Sequence, residues 1–295
     1  MDSTVSSSYR SISVAVEGGR LHGGEWNQSG ATTVVAVHGI TANHRTFAPL
    51  AEALPRHRLR APDLRGRAAS ATLPGPWGID RHVEDVAALI SASAQGPVVL
   101  LGHSMGGFVA AALVRRFPEL VSGLVLVDGG LPFRLPRAVD VDQVVAQTLG
   151  PALQRLERTF PSRDAYRRFW QAHPALRGAW SDAVAEYVDY DLVGTPPELR
   201  SSVSSQAVVQ DARDQFDDPD TADVLGGFSG SARLLVVSRG LLDQPPGLYP
   251  DEELVHWPSR LPSLTIERVP ELNHYTIMFH PSGAARVAAA VCTVS

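Results

Sequence analysis

Cysteine is nearly missing from this 295-residue chain, with Cys292 the one example. A single thiol excludes an intramolecular disulfide, so stability must come from a packed core. Cys292 lies in an Ala- and Val-rich closing segment and reads as a small buried apolar residue, not a catalytic thiol. No apolar stretch reaches the length of a membrane span. The opening residues, Met1 to Arg10, are Ser-rich and lack the apolar centre of a secretory signal, so a cytoplasmic protein without a membrane partner is expected. Excess positive charge is also missing. Lys and Arg number 26 against 31 Asp and Glu, net charge is −5, and no basic patch stands out, so no nucleic-acid partner is expected. Histidines and carboxylates do not fall at zinc-ligand spacings, and no Gly-x-Gly-x-x-Gly follows a strand; neither a metal nor another cofactor is expected.

What is present suits a soluble globular enzyme: 44% apolar and 19% charged residues, enough chain for one large α/β domain with an insertion. Ser11 to Val16 and Leu21 to Trp26 flank Glu17-Gly18-Gly19 as a β-hairpin. Thr32 to Val37 is an apolar strand ending at His38-Gly39, and a helix is expected over Thr46 to Leu54. A short strand at His57 to Ala61 leads into Pro62-Asp63-Leu64-Arg65-Gly66. Val83, Val86, Ala87 and Ile90 fall at helical spacing within Asp80 to Ser91. Strands follow at Pro97 to Leu101 and Leu124 to Val127, the latter ending in Asp128-Gly129-Gly130. Alternating strands and helices argue for a parallel sheet with helices on both faces.

The rhythm breaks after Gly130. From Leu131 to about Phe228 no buried strand run is evident. Helices are expected instead at Val141 to Leu149, Ala152 to Phe160, Arg163 to Ala172 and Asp182 to Asp191, in a region rich in aromatic residues. Strands return at Arg233 to Val237 and Ser263 to Val269, and a helix from Pro281 to Val291 closes the chain. Residues 131–228 therefore read as an insertion into a core made of 1–130 and 229–295, placed over the C-terminal edge of the sheet where ligands bind.

Gly102-His103-Ser104-Met105-Gly106 joins the strand at Pro97 to Leu101 to an Ala- and Leu-rich helix. A Gly-x-Ser-x-Gly pentapeptide arises by chance in Gly- and Ser-rich chains. Between a buried strand and a helix it holds a serine hydroxyl at the tip of a turn too tight for side chains at the glycines. Four motifs occur in order: His38-Gly39, Pro62 to Gly66, Gly102 to Gly106, and a late Asn273-His274. Together they resemble the α/β-hydrolase fold superfamily, of the kind with a helical cap, over nearly the whole chain. The resemblance implies a mostly parallel eight-stranded sheet flanked by helices, with 131–228 as the cap. One departure is that Asp-Leu-Arg-Gly continues as Arg67-Ala68-Ala69-Ser70, where related sequences often have His-Gly-x-Ser; that loop is expected to be structural.

A serine hydroxyl needs a base within hydrogen-bond reach. His274, in the loop after the last strand, is the candidate, and a surface-loop histidine is the plain alternative. His280 begins the closing helix, and His103 is expected to pack or hydrogen-bond. The base needs a carboxylate to hold its tautomer. Asp243 is preferred, because the resemblance puts the acid in a Gly-x-x-Asp loop after the strand at Arg233 to Val237. Asp128, ending the preceding strand, is the alternative, or is merely a strand-end cap. The oxyanion donors are expected to be the backbone N–H of Met105, at a helix start, and of Ile40, just after Gly39. Asn43 and His44 face the entrance or belong to a solvated loop.

These residues point to acyl transfer on a moderately sized apolar ester or lactone. C–C, thioester or amide cleavage by the same three residues is the alternative. A non-catalytic small-molecule receptor on this fold is the third reading. A homodimer is compatible with the sequence.

Overall fold

The structure, a computed structural model, describes residues 8–92, 95–133, 140–217 and 224–295. The Ser-rich residues 1–7 lie outside the described residues, as do 134–139 and 218–223 of the insertion. Ten strands are described: β1 (Arg10–Val16), β2 (Gly19–Trp26), β3 (Thr32–Val37), β4 (His57–Pro62), β5 (Val98–His103), β6 (Val121–Val127), β7 (Leu192–Val193), β8 (Arg200–Ser201), β9 (Ser231–Arg239) and β10 (Leu264–Asn273). Eight of them form one sheet in the order β1-β2-β4-β3-β5-β6-β9-β10, and β7 and β8 make a separate antiparallel pair. The expected hairpin pairs β1 with β2 antiparallel, Val14 opposite Leu21, and β2 runs antiparallel to β4. The pairings from β4 through β10 are parallel.

Strand periodicity divides the core in two. Val35, Val37, Leu100, Leu124, Leu126 and Leu234 point to one face, against Val83, Val86 and Ile90 of α2 (Ile79–Ser91) and Val109 and Leu113 of α3 (Met105–Arg116). Val34, Ala36, Val99, Leu101, Val125 and Leu235 point to the other, against Leu50 and Ala51 of α1 (Ala48–Ala53) and Val287 and Val291 of α11 (Pro281–Val294). Both sides of the central strands are buried, which is why these strands read as continuous apolar runs. Cys292 is exposed, contrary to expectation. The buried stripe of α11, Val287, Ala288, Val291 and Val294, turns position 292 to solvent.

Between β6 and β9 lie α4 (Val141–Leu156), α5 (Arg163–Gln171), α6 (Asp182–Asp191) and α7 (Ser205–Asp217). The Ser162 hydroxyl accepts the Ala165 N–H at 3.1 Å and the Ser181 hydroxyl accepts that of Val184 at 3.3 Å, capping α5 and α6. The break expected at Gly150-Pro151 does not occur, and α4 runs through it. A proline removes one backbone bond, while Val145, Leu149 and Leu156 stay on one buried face across it. Phe160, Tyr166, Trp170, Leu176, Tyr187 and Val188 build a core of the block's own, which also takes Phe279 of α10 (Thr276–Phe279). The short helices α8 (Asp251–Leu254) and α9 (Trp257–Arg260) lie between β9 and β10. No described helix is long and apolar enough to cross a membrane.

Polar side chains fasten this block to the loop after β4. Tyr190 donates to Asp63 at 2.7 Å, and Asp63 also accepts the His44 ring at 2.8 Å. The Asn43 amide donates to the Tyr187 carbonyl at 3.2 Å. Asn43 and His44 are thus buried joints between core and insertion, neither at an entrance nor in a solvated loop.

Candidate active site

Ser104 sits between the end of β5 and the start of α3 with φ 56° and ψ −125°. Such a backbone is costly for a residue with a side chain and persists only where its surroundings enforce it. Here they do. A Cβ on Gly102 would stand 2.1 Å from the Gly106 carbonyl oxygen, and one on Gly106 would stand 2.0 Å from that of Val37. The glycines serve close approach of backbone to backbone, which lets the turn fold back on β3 and on itself. The Ser104 N–H donates to the Val127 carbonyl at 2.9 Å, tying the turn to the end of β6.

His274 follows β10 immediately, after an irregularity in register between Val269 and Asn273. Its Nδ1 lies 2.6 Å from Oδ2 of Asp128. Both side chains are almost wholly buried. The second Asp128 oxygen is 3.4 Å from the Val237 N–H, and φ at Asp128 is +45°. The preference for Asp243 is therefore corrected: the structure brings Asp128 to His274 and turns Asp243 elsewhere. Asp243 has φ +62° within a turn closed by the Gly240 N–H and the Gln244 carbonyl at 2.8 Å. That turn aims its carboxylate at Arg239, 2.8 Å away, and at the Asn273 amide, 3.0 Å away. Asp243 supports the residue before His274. Asn273, to which the sequence motif assigned no role of its own, is a hub. Its amide also donates to the Ala175 carbonyl at 2.9 Å, and its side-chain oxygen accepts the Tyr275 and Thr276 N–H groups.

His103 packs its ring against His274, centroids 4.8 Å apart, and its Nε2 lies 3.0 Å from the His274 carbonyl oxygen. Burial, then the neighbouring His274, holds its imidazole well below the usual range. It is neutral, donates from Nε2 and fixes the His274 backbone. His280 caps α11, its Nδ1 accepting the Ser282 N–H at 3.2 Å.

Gly39 brings the loop after β3 up to Ser104. A Cβ there would stand 3.1 Å from Ser104 Cβ and 3.4 Å from its Oγ. His38 holds the loop: Nδ1 donates to the Gly39 carbonyl at 2.8 Å and Nε2 accepts the Leu64 N–H at 3.0 Å. Burial pushes its pKa down to about 3, as this neutral tautomer requires. Arg67, fully buried, donates to the Ile40 carbonyl at 3.0 Å and pairs with Asp211 of α7 at 2.5 Å. The departure at Arg67 is thus the clamp on the loop that carries Ile40. The Met105 N–H opens α3, where a helix leaves its first donors without intrahelical partners.

Ser104, Asp128 and Ile40 border a small cavity of about 50 Å³. A second cavity of about 320 Å³ shares Ile40, Thr148, Leu149 and Leu241 with it and extends beneath α4 and α5. Its lining is mostly apolar, with Phe169, Trp170, Leu242 and Tyr275. His173 borders it too, its pKa lowered to about 4 by burial and by the charge of Arg155.

A sheet of this order, with a serine turn after β5 and a His–Asp pair at the ends of β10 and β6, defines the class: this is an α/β-hydrolase-fold protein. The family pattern for that fold matches residues 32–165. Lipase LipV of Mycobacterium tuberculosis is 34% identical over 175 residues, covering 58% of this chain and 60% of the lipase. The 2-(acetamidomethylene)succinate hydrolase of Mesorhizobium japonicum is 30% identical over 118 residues, covering 40% of this chain and 42% of that enzyme. The chain thus spans 60% or less of the length of these curated relatives. The crystal structure of E-2-(acetamidomethylene)succinate hydrolase superimposes with a TM-score of 0.77 at 20% identity, covering 97% of this chain and 99% of that one. A thioesterase domain from the curacin biosynthetic pathway gives 0.75 at 18% identity, covering 97% and 99%.

Proposed function

We propose that the chain is a serine hydrolase that cleaves a carboxylic ester or lactone through an acyl-enzyme, with Ser104 as nucleophile, His274 as base and Asp128 as acid. The buried 2.6 Å contact between His274 Nδ1 and Asp128 carries this reading, because it leaves Nε2 as the nitrogen able to take a proton from serine. Ser104 Oγ attacks the carbonyl carbon as His274 takes its proton. The tetrahedral oxyanion accepts the N–H groups of Met105 and Ile40. His274 then protonates the leaving oxygen, and water, deprotonated by the same imidazole, hydrolyses the acyl-enzyme. Asp128 holds the tautomer and stabilises the imidazolium throughout.

Residues 131–228 act as the cap over the C-terminal edge of the sheet, with 1–130 and 229–295 as the core. Their aromatic and aliphatic side chains along the larger cavity favour an apolar acyl group, and the likeness to a lipase favours an ester. The test is labelling by a fluorophosphonate together with hydrolysis of short p-nitrophenyl esters. Both are expected in the native chain and neither in Ser104→Ala. Labelling that survives Ser104→Ala overturns the assignment.

A further inference from the structure

One cation stands in the wall of the larger cavity, and the steps of ester cleavage do not use it. Arg155 of α4 borders that cavity while only 3% of its surface is exposed. No carboxylate lines the cavity among the described residues, and His173, with its lowered pKa, is neutral at pH 7. The guanidinium lies over the Trp170 ring at 4.9 Å. Nη1 donates to the Tyr166 hydroxyl at 2.9 Å and to Asp191 Oδ2 at 3.1 Å. Nη2 is buried with no hydrogen-bond partner.

A buried guanidinium with one nitrogen unserved lacks a partner, and an anion entering the cavity would supply it. Asp191 does not fill it, because its oxygens are already engaged. Oδ2 takes Tyr166 at 2.5 Å as well as Arg155, and Oδ1 takes the hydroxyls of Ser201 at 2.9 Å and Ser202 at 3.0 Å. The same contacts hold the guanidinium rigid, so an incoming anion meets a preorganised donor in apolar surroundings.

We infer that the substrate carries a carboxylate distal to its scissile carbonyl, and that Arg155 binds this carboxylate while an apolar chain runs past Ile40 and Leu149 to Ser104. The two cavities share Ile40, Thr148, Leu149 and Leu241 in their walls, which makes them neighbours along that course. This inference rests on Ser104 being the reacting centre, and it names the acyl class that the centre takes.

The experiment compares monomethyl adipate with methyl hexanoate by pH-stat, since the two differ chiefly in the distal carboxylate. The native chain is expected to favour the adipate about 30-fold in kcat/KM, and Arg155→Gln to abolish that preference, as hydrogen bonds to charged groups allow. Arg155→Lys keeps the charge without the planar fork and should recover only part of the preference. Arg155→Gln also leaves Asp191 buried without its cation, so Arg155→Gln/Asp191→Asn gives a second route to the same ratio. A purely structural Arg155 would slow both esters together and leave the ratio unchanged, which overturns the inference, as does a native chain without preference for the adipate. Calorimetry of adipate with Ser104→Ala separates the two readings. Binding that depends on Arg155 supports the anion site whether or not any ester is cleaved. Absence of binding removes the site while methyl hexanoate turnover leaves the serine chemistry standing.

Discussion

Replacing Asp128 by Asn tests the pairing that decides the active-site assignment. The side chain keeps its size, but an acceptor becomes an amide that can donate to Nδ1 and hold the ring in the wrong tautomer. With a 2.6 Å contact between Nδ1 and the carboxylate, the charge centres of imidazolium and carboxylate lie ~4 Å apart, worth about 4 kcal/mol at an effective dielectric of ~20. At about 1.4 kcal/mol per decade this is ~10³ in rate, and loss of the tautomer brings the expected fall in kcat to ~10³–10⁴. Asp243→Asn is the control. Its carboxylate side chain is 32% exposed and its partner Arg239 is 48% exposed. An ion pair of that kind is worth about 0–1 kcal/mol, so kcat is expected to change less than about fivefold. Steady-state hydrolysis of p-nitrophenyl acetate measures both variants, with circular dichroism to show that each is folded. A folded Asp243→Asn that loses ~10³ while Asp128→Asn keeps its rate would refute the reasoning.

Two further outcomes follow from the site. Gly39→Val puts a branched side chain where even a Cβ would be 3.1 Å from Ser104 Cβ, and we expect kcat/KM for p-nitrophenyl acetate to fall at least about 100-fold, with melting little changed, through loss of the oxyanion position. Acid stability follows from His38 and His103, both buried and neutral with lowered pKa values, about 3 for His38. The unfolded chain takes up these protons near pH 6.5 and the folded chain does not, so stability is fully present above that pH and is lost as pH falls. Each histidine costs up to about 1.4 kcal/mol per pH unit between ~6.5 and its folded pKa. Thermal melting from pH 7.5 to 5 should be level down to about pH 6.5 and then fall, less steeply in His38→Asn; a profile flat to pH 5 would contradict the neutral, buried assignments.

Much of the candidate site was legible because its signals are local. The Gly102 to Gly106 turn is dictated by contacts within a few residues and with the adjacent strand β3. The sheet strands declare themselves as short apolar runs, and the hairpin at Gly18 follows from turn chemistry. Other readings failed where distant partners decide. Asn43 and His44 look like loop residues, yet each meets a partner more than ten residues away: Tyr187 and Asp63 respectively. The Gly150-Pro151 break is a real local signal that is overridden by an apolar face continuing through it.

By itself the sequence determined the order of the eight sheet strands along the chain, the serine turn, the histidine after the last strand and the helical block between β6 and β9. Each depends on residue periodicity or on steric limits within one turn. Only the tertiary structure decided which carboxylate meets His274. Asp128 and Asp243 follow neighbouring strands, β6 and β9, and both have positive φ. The turn from Gly240 to Gln244 swings Asp243 toward Arg239 and Asn273, while the Gly129 backbone lies against Ser104 and leaves Asp128 facing His274. Tertiary structure likewise joined Arg155 to Asp191, 36 positions away, and brought the arginine into the wall of the cavity. Such choices turn on the direction of a side chain across the sheet edge, which spacing along the chain does not encode.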